Sequence, residues 1–167
     1  MLQVRPIITK IRRRLNDMQG DNYSDYELVD VLADAQRMLY IALADNGSEI
    51  PKRRKELTLT DGRAPLPADY YSMICANGCH VDGRDLASPK ELEGAVILEY
   101  NCVPLPPLKR MEDVIDIPYT VLLDTVEIAV LIAQGNTAGA METAIQSAKR
   151  IGGRREHGRI PDRRWCQ

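Results

Sequence analysis

The most constraining feature of this sequence is its longest apolar stretch, residues 117–136, which reads IPYTVLLDTVEIAVLIAQGN. Apolar residues recur in it at helical spacing and on most faces, which is typical of a helix buried among other helices. Proline suits the first helical position and glycine the residue after the last, so Pro118 and Gly135 predict a helix over 118–134. The stretch is too short and too charged to span a membrane. Its polar residues form one narrow stripe: Thr120, Asp124, Glu127 and Gln134.

Three further segments, at about 6–18, 24–45 and 138–151, have helical periodicity. Ser24 and Glu27 have the spacing of a capping box, which predicts the start of the second helix. A gap of only a few residues separates the last two helices, so we expect them to form an antiparallel pair. The first helix has the apolar stripe Ile7, Ile8, Ile11, Leu15 and Met18, and the last has Ala140, Met141, Ala144, Ile145, Ala148 and Ile151.

Between the second and third helices the pattern changes to alternation, which predicts a β insertion at about 56–103. Leu57 and Leu59 alternate with threonines, and Asp-Gly pairs at 61–62 and 82–83 predict tight turns. Residues 71–81 are expected to be extended, and residues 95–103 form the strongest predicted strand. The basic run 52–55 is expected to be a loop, either solvated or bound to phosphate.

These elements predict an α+β protein that is mainly α. An antiparallel bundle of about four helices carries an inserted small antiparallel sheet within a single domain, 1–153. An extended C-terminal arm, 154–167, follows that domain.

Charge is balanced overall, with 22 Lys and Arg against 24 Asp and Glu, but it is distributed unevenly. Residues 21–45 are acidic, whereas the arm is basic and contains the single tryptophan. Arginine and tryptophan are enriched at interface hot spots, so the arm is predicted to dock on a partner or a neighbouring copy and to become ordered there. The predicted docking residues are Arg154, Arg155, Arg159, Ile160, Arg163, Arg164 and Trp165.

Charged residues of the helices are candidates for contacts between subunits of an oligomer. The arginine triplet 12–14 cannot lie on one side of a helix, so part of it must face water, an acidic partner or DNA phosphates. The candidate contact residues are Asp25, Asp30, Asp34, Asp124, Glu127, Arg12 and Arg13.

No catalytic constellation is recognisable. The sequence lacks a nucleophile elbow, a phosphate-binding glycine loop and a zinc-type cysteine pair, so we expect no enzyme activity, metal or cofactor. Asp124 and Glu127 share a helix face and suit acid–base chemistry, but a small enzyme would also need a pocket that joins them to His80. A second alternative is a nucleic-acid-binding helical module that uses the triplet 12–14, the run 52–55 and the arm.

The order of these parts resembles bacteriophage head–tail connector, or adaptor, proteins. The resemblance covers nearly the whole chain and lies in four segments: RRRLNDMQGDNYSDYELVDVLADAQRMLY, LPADYYSMI followed by VDGRDL, VILEYNCVPLP, and IDIPYTVLLDTVEIAVLIAQGN. It implies a homo-oligomeric, typically dodecameric ring that binds the portal protein at the capsid vertex and receives the tail or nozzle proteins. The genome would pass through its lumen with only transient, non-specific contact. It also implies a structural virion protein, assembled in the host cytoplasm, with no enzymatic activity and no cofactor.

Overall fold

A computed structural model describes residues 2–89, 93–105, 108–115 and 117–152. The chain divides into two compact units. The helical unit comprises Met1–Ile50 and Pro104–Gly153, and the sheet unit comprises Pro51–Val103. Since two compact units can belong to one domain, the single domain 1–153 stays a prediction. The arm lies outside the described residues.

The described residues contain four helices at nearly the predicted positions. They are α1 (Val4–Leu15), α2 (Asp25–Asp45), α3 (Tyr119–Ala133) and α4 (Thr137–Gly152). A two-stranded antiparallel sheet joins β1 (Leu2–Gln3) to β8 (Val114–Ile115). An α+β fold with small antiparallel sheets is therefore confirmed.

Helix α1 is shorter at its C-terminus than the predicted 6–18. It ends because Asn16 adopts a left-handed conformation, with φ of 56°. Met18 consequently lies outside the helix and is 55% exposed, so its predicted place in the apolar stripe is wrong. The predicted stripe residues Ile7, Ile8 and Ile11 are buried.

Helix α2 begins with the predicted capping box. The Ser24 hydroxyl accepts a hydrogen bond from the Glu27 amide, and the Glu27 carboxylate accepts one from the Ser24 amide at 2.7 Å. Both interactions satisfy amides that a helix N-terminus leaves without partners. Leu28, Leu32 and Leu39 then follow at helical spacing and are fully buried.

The predicted central helix α3 has a more asymmetric surface than its sequence indicated. Pro118 precedes the helix as its N-cap instead of being its first residue. Tyr119 and Leu123, both predicted to be apolar packing residues, are 76% and 59% exposed. The deeply buried positions of this helix are Val121, Leu122, Thr125, Val126, Ile128, Ala129 and Val130.

Helices α3 and α4 run antiparallel, as their short connection predicted. Gly135 has a φ of 76°, which reverses the chain at one end of the pair. Ser147, near the other end of α4, donates a hydrogen bond to Asp124 near the start of α3, at 3.0 Å. The alanines Ala140, Ala144 and Ala148 are fully buried and let α4 pack closely.

The sheet unit begins earlier than predicted. The run 52–55, predicted to be a loop, forms the first half of β2 (Lys52–Leu59), which pairs along its whole length with β7 (Gly94–Cys102). A long central strand therefore imposes extended structure on a sequence with no alternation of its own. The remaining strands are β3 (Arg63–Pro65), β4 (Tyr70–Cys75), β5 (His80–Asp82) and β6 (Asp85–Ala87).

Two three-stranded antiparallel sheets result, with the strand orders β2-β7-β4 and β3-β6-β5. The predicted Asp-Gly turns are both present: Asp61 and Gly62 have positive φ, and Gly83 lies in the turn between β5 and β6. The predicted extended segment 71–81 is instead interrupted, because Asn77 and Gly78 have positive φ. Its two halves therefore belong to different sheets.

The capping box provides a stability test. Ser24→Ala removes the hydroxyl that accepts the Glu27 amide and should lower the free energy of unfolding by about 1 kcal/mol. Chemical denaturation followed by circular dichroism measures this difference. Ser24→Thr keeps a hydroxyl at the cap that can accept the Glu27 amide and donate to the Glu27 carboxylate, so it should behave nearly like the wild type. An equal loss in both variants would contradict the assignment.

Candidate functional site

The Arg12 guanidinium lies at the centre of the connection between α1 and α2. It donates hydrogen bonds to Asp17 Oδ2 at 2.9 Å, to Asp25 Oδ1 at 2.7 Å and to the Tyr23 carbonyl at 2.9 Å. Only 12% of the Arg12 side chain and 1% of the Asp17 side chain are exposed. The arginine therefore neutralises a buried carboxylate and fixes the connection.

Asp17 also accepts hydrogen bonds from the backbone amides of Asn22 and Tyr23, at 3.0 and 3.2 Å. Burial by itself would raise the pKa of Asp17. The two amides and the Arg12 charge outweigh burial and lower the pKa below its ordinary value. Asp17 is thus held as a carboxylate within the fold.

This geometry gives two of the candidate contact residues partners within the chain, and their intersubunit role stays a prediction. Arg12 and Asp25 were predicted to contact another subunit, but they form ion pairs within the chain. The reason is that the α1–α2 connection folds back over the last turns of α1. Arg13 is exposed and has no ion pair among the described residues, so its intersubunit role stays a prediction.

Asp124 is also engaged inside the helical unit. Its Oδ1 accepts hydrogen bonds from the Ser147 hydroxyl at 3.0 Å and from the Arg150 guanidinium at 2.5 Å, and its side chain is only 14% exposed. The packing of α4 against α3 brings these groups together. Asp124 is therefore an interhelix contact instead of part of a solvated stripe.

Glu127 is placed differently. It forms an ion pair with Arg14 of α1, and each side chain is nearly half exposed. An ion pair this exposed contributes little to folding stability. It leaves both charges accessible to another molecule, so Glu127 remains a candidate for contact with a neighbouring copy.

Asp30 and Asp34 lie one turn apart on the exposed face of α2. Neither has an ion pair among the residues that the structure describes, and the same holds for Arg37, which follows Asp34 by less than one turn. This face is the accessible part of the acidic segment predicted from the sequence.

A groove beside this face was not predicted from the sequence. It has a volume of about 370 Å³ and is lined by Asp34, Arg37, Met38, Ile41, Ile132, Thr137 and Met141. Met141 is 48% exposed and Ile145 is 37% exposed, although both were assigned to the apolar stripe of α4. These two residues are exposed because the alanines of the stripe pack against the other helices, which leaves the longer apolar side chains beside them accessible.

In the sheet unit, the buried polar groups stabilise β4 and β7. Tyr100 donates a hydrogen bond to Asp69 Oδ1 at 3.0 Å and stacks on Tyr70 with ring centroids 6.0 Å apart. Burial and the Asp69 carboxylate raise the pKa of Tyr100 to about 12. This cluster keeps Tyr100 neutral and is a packing feature.

The basic run 52–55 lies on β2, an edge strand of its sheet. Charged side chains on an edge strand discourage pairing with other chains. Arg54 also lies 3.9 Å from Glu99 of β7. The run therefore has a structural role that does not need nucleic acid, and the nucleic-acid-binding alternative stays a prediction.

The enzyme alternative gains no support from the described geometry. Asp124 and Glu127 are each held in an ion pair, and neither lines the groove. Burial raises the pKa of the Cys79 thiol, which disfavours the nucleophilic thiolate. Within the described ranges, no cluster of His, Cys, Asp and Glu has the arrangement of a metal site, and no helix is long and apolar enough to cross a membrane.

The comparison with protein families identifies the class of this protein as phage head–tail adaptors. Residues 3–123 match the SU10 adaptor protein family model, which covers α1, α2, the sheet unit and the start of α3. The chain belongs to the SU10 adaptor protein family. This membership assigns it a structural role in the phage virion. No curated protein matches the chain.

The Arg12 cluster yields a second stability test. Arg12→Leu leaves the buried Asp17 carboxylate without its counter-charge and should lower the free energy of unfolding by about 1.5–3 kcal/mol at neutral pH. Because the pKa of Asp17 is lowered from its ordinary value of 3.8, its carboxylate stabilises the folded state at pH values above 3.8. That contribution disappears as the pH falls through the lowered value, so the deficit of the variant should shrink in acid.

Arg13→Leu is the matched control, because it removes the adjacent exposed arginine. It should change stability by less than about 0.5 kcal/mol. Denaturant titrations of both variants between neutral and acidic pH measure these differences. Equal losses in the two variants, or a deficit for Arg12→Leu that grows in acid, would contradict the role given to the cluster.

Proposed function

We propose that this chain is a head–tail connector that assembles into a ring, docks on the portal and receives the tail. The family match over residues 3–123 carries this proposal. The helical unit supports it, because a well-packed core coexists with the accessible apolar side chains of Tyr119 and Leu123, which are neighbours on one face of α3. Large exposed apolar residues that cluster are typical of surfaces that bind other proteins.

The ring we propose is dodecameric, and the genome passes through its lumen with only transient, non-specific contact. Its partners are the portal protein on one side and tail or nozzle proteins on the other. Its function is mechanical and needs no catalysis, metal or cofactor. The protein acts at the portal vertex of the virion after assembly in the host cytoplasm.

We propose that the arm makes the docking contact with the portal or with a neighbouring copy. Its five arginines, with Ile160 and Trp165, combine charge and large apolar groups in a short segment. Helix α4 extends to Gly152, so the arm begins almost directly at the end of a packed helix. Weak contacts of each arm would add up around a ring, because every later contact is effectively intramolecular.

Deletion of residues 154–167 tests the arm. The truncated protein should retain the circular dichroism and thermal transition of the full chain, because every described helix ends before the deletion. It should fail to bind a portal ring, whereas the full chain should bind as a ring of subunits. Native mass measurements with and without the portal check both expectations. Normal attachment of the truncated protein would show that the arm is not the docking element.

Charge reversal tests the accessible ion pair of α1 and α3. Glu127→Lys should cost little folding stability, because the pair with Arg14 is nearly half exposed. If the pair contacts a neighbouring copy, the reversal should prevent ring assembly on the portal. Gln134→Lys places a lysine at the exposed residue that caps the C-terminus of α3, away from the ion pair, and should assemble normally. Rings of ordinary size from Glu127→Lys would place this residue outside the subunit contact.

A further inference from the structure

Two apolar side chains project from the first turns of α3. Tyr119 is 76% exposed and Leu123 is 59% exposed. They are four residues apart, so they are neighbours on one face of the helix. We call this pair the α3 knob. Its exposure is costly in water, because roughly 25 cal/mol of stabilisation is lost for each Å² of apolar surface left uncovered.

The groove described above, which we call the α2–α4 groove, is the matching concave surface. Met38 and Ile41 come from α2, Ile132 from α3 and Met141 from α4. Methionine side chains are flexible and polarisable, so they adapt to the shape of an inserted apolar group. The groove volume of about 370 Å³ lies within the range of sites that enclose small organic ligands, which suits one or two large side chains.

The knob and the groove residue Ile132 lie on opposite faces of α3. Ile132 follows Leu123 by nine positions in α3. At about 3.6 residues per turn this separation is roughly two and a half turns, so the two side chains point in opposite directions. The knob of one copy therefore cannot fill the groove of the same copy, but it can reach the groove of another.

The charges beside the two surfaces are complementary. The knob is flanked by the accessible ion pair of Arg14 and Glu127, since Glu127 lies one turn after Leu123. The rim of the groove carries Asp34 and Arg37, which are exposed and form no ion pair among the described residues. Each surface therefore offers one charge of each sign, so Asp34 and Arg37 have opposite charges available to them on a second copy.

From these observations we infer that the α3 knob of one copy inserts into the α2–α4 groove of a second copy. Two different surfaces meet, so the contact is head-to-tail, and its repetition closes a ring or extends a filament. The inference rests on the proposed function only in taking the closed ring as the outcome. The contact itself depends on the geometry and charge of the helical unit.

Two variants of the full chain test the contact. Leu123→Asp destroys the knob and keeps the groove, whereas Met141→Asp destroys the groove and keeps the knob. Both residues are exposed, so both variants should keep the circular dichroism of the wild type. Wild-type protein should self-associate in sedimentation velocity as its concentration rises to about 1 mM. Each variant alone should remain monomeric over the same range.

Mixing the two variants identifies the geometry. The intact knob of Met141→Asp fits the intact groove of Leu123→Asp, and the surfaces left over are both defective. An equimolar mixture should therefore form heterodimers and nothing larger. Met18→Asp, which changes an exposed methionine outside the helices, is the matched control and should self-associate like the wild type.

Several results would overturn the inference: wild-type protein that stays monomeric at about 1 mM, either single variant that self-associates normally, or a mixture that stays monomeric or forms large assemblies. The portal measurement separates this inference from the proposed function. If the two variants still form rings on the portal, the connector function holds and the contact is wrong. If wild-type protein associates as described but never joins a portal, the contact holds and the connector function is wrong.

Discussion

The helical unit depends on the way in which one arginine fixes the connection between its first two helices. Asn16 ends α1 in a left-handed conformation, and the chain then returns over Arg12. Glycine is favoured at position 20, because its φ of +81° is strained for other residues and a Cβ there would lie 3.2 Å from Arg12 Nη1. The guanidinium binds both Asp17 and Asp25, so it connects the end of α1 to the start of α2.

The α1–α2 connection also contacts α3. Tyr23, whose carbonyl accepts a hydrogen bond from Arg12, donates its own hydroxyl to the Ala133 carbonyl at 3.2 Å. The last turn of α3 is thereby joined to the α1–α2 connection. Asp124 joins the first half of α3 to the end of α4 in the same way. Polar contacts at both ends of α3 thus complement its apolar core.

Much of the helical unit could be predicted because its signals are local. The Ser24–Glu27 box and the left-handed Gly135 each depend on a few consecutive residues, and both are confirmed. The errors arise where distant parts of the chain decide. The run 52–55 becomes a strand because β7, some forty residues further along the chain, pairs with it.

Exposure was the hardest property to predict for the same reason. Helical periodicity shows that Leu123 and Met141 are apolar members of a stripe, but only the neighbouring helices decide which members are covered. On α4 the alanines make the contact, which leaves Met141 at the surface. The groove is formed by residues of three helices, so no single segment of the sequence could predict it.

The family match covers one of the two proposed surfaces completely and the other only in part. It extends through Leu123, so it includes the knob and the α2 side of the groove, Asp34 to Ile41, but not Ile132 or Met141. The side of the groove formed by α3 and α4 thus comes from the part of the chain that the family model does not reach. A single bulky or charged residue at position 141 would change the shape of the groove that the knob must fit. Residues of α4 could therefore determine which copies bind each other.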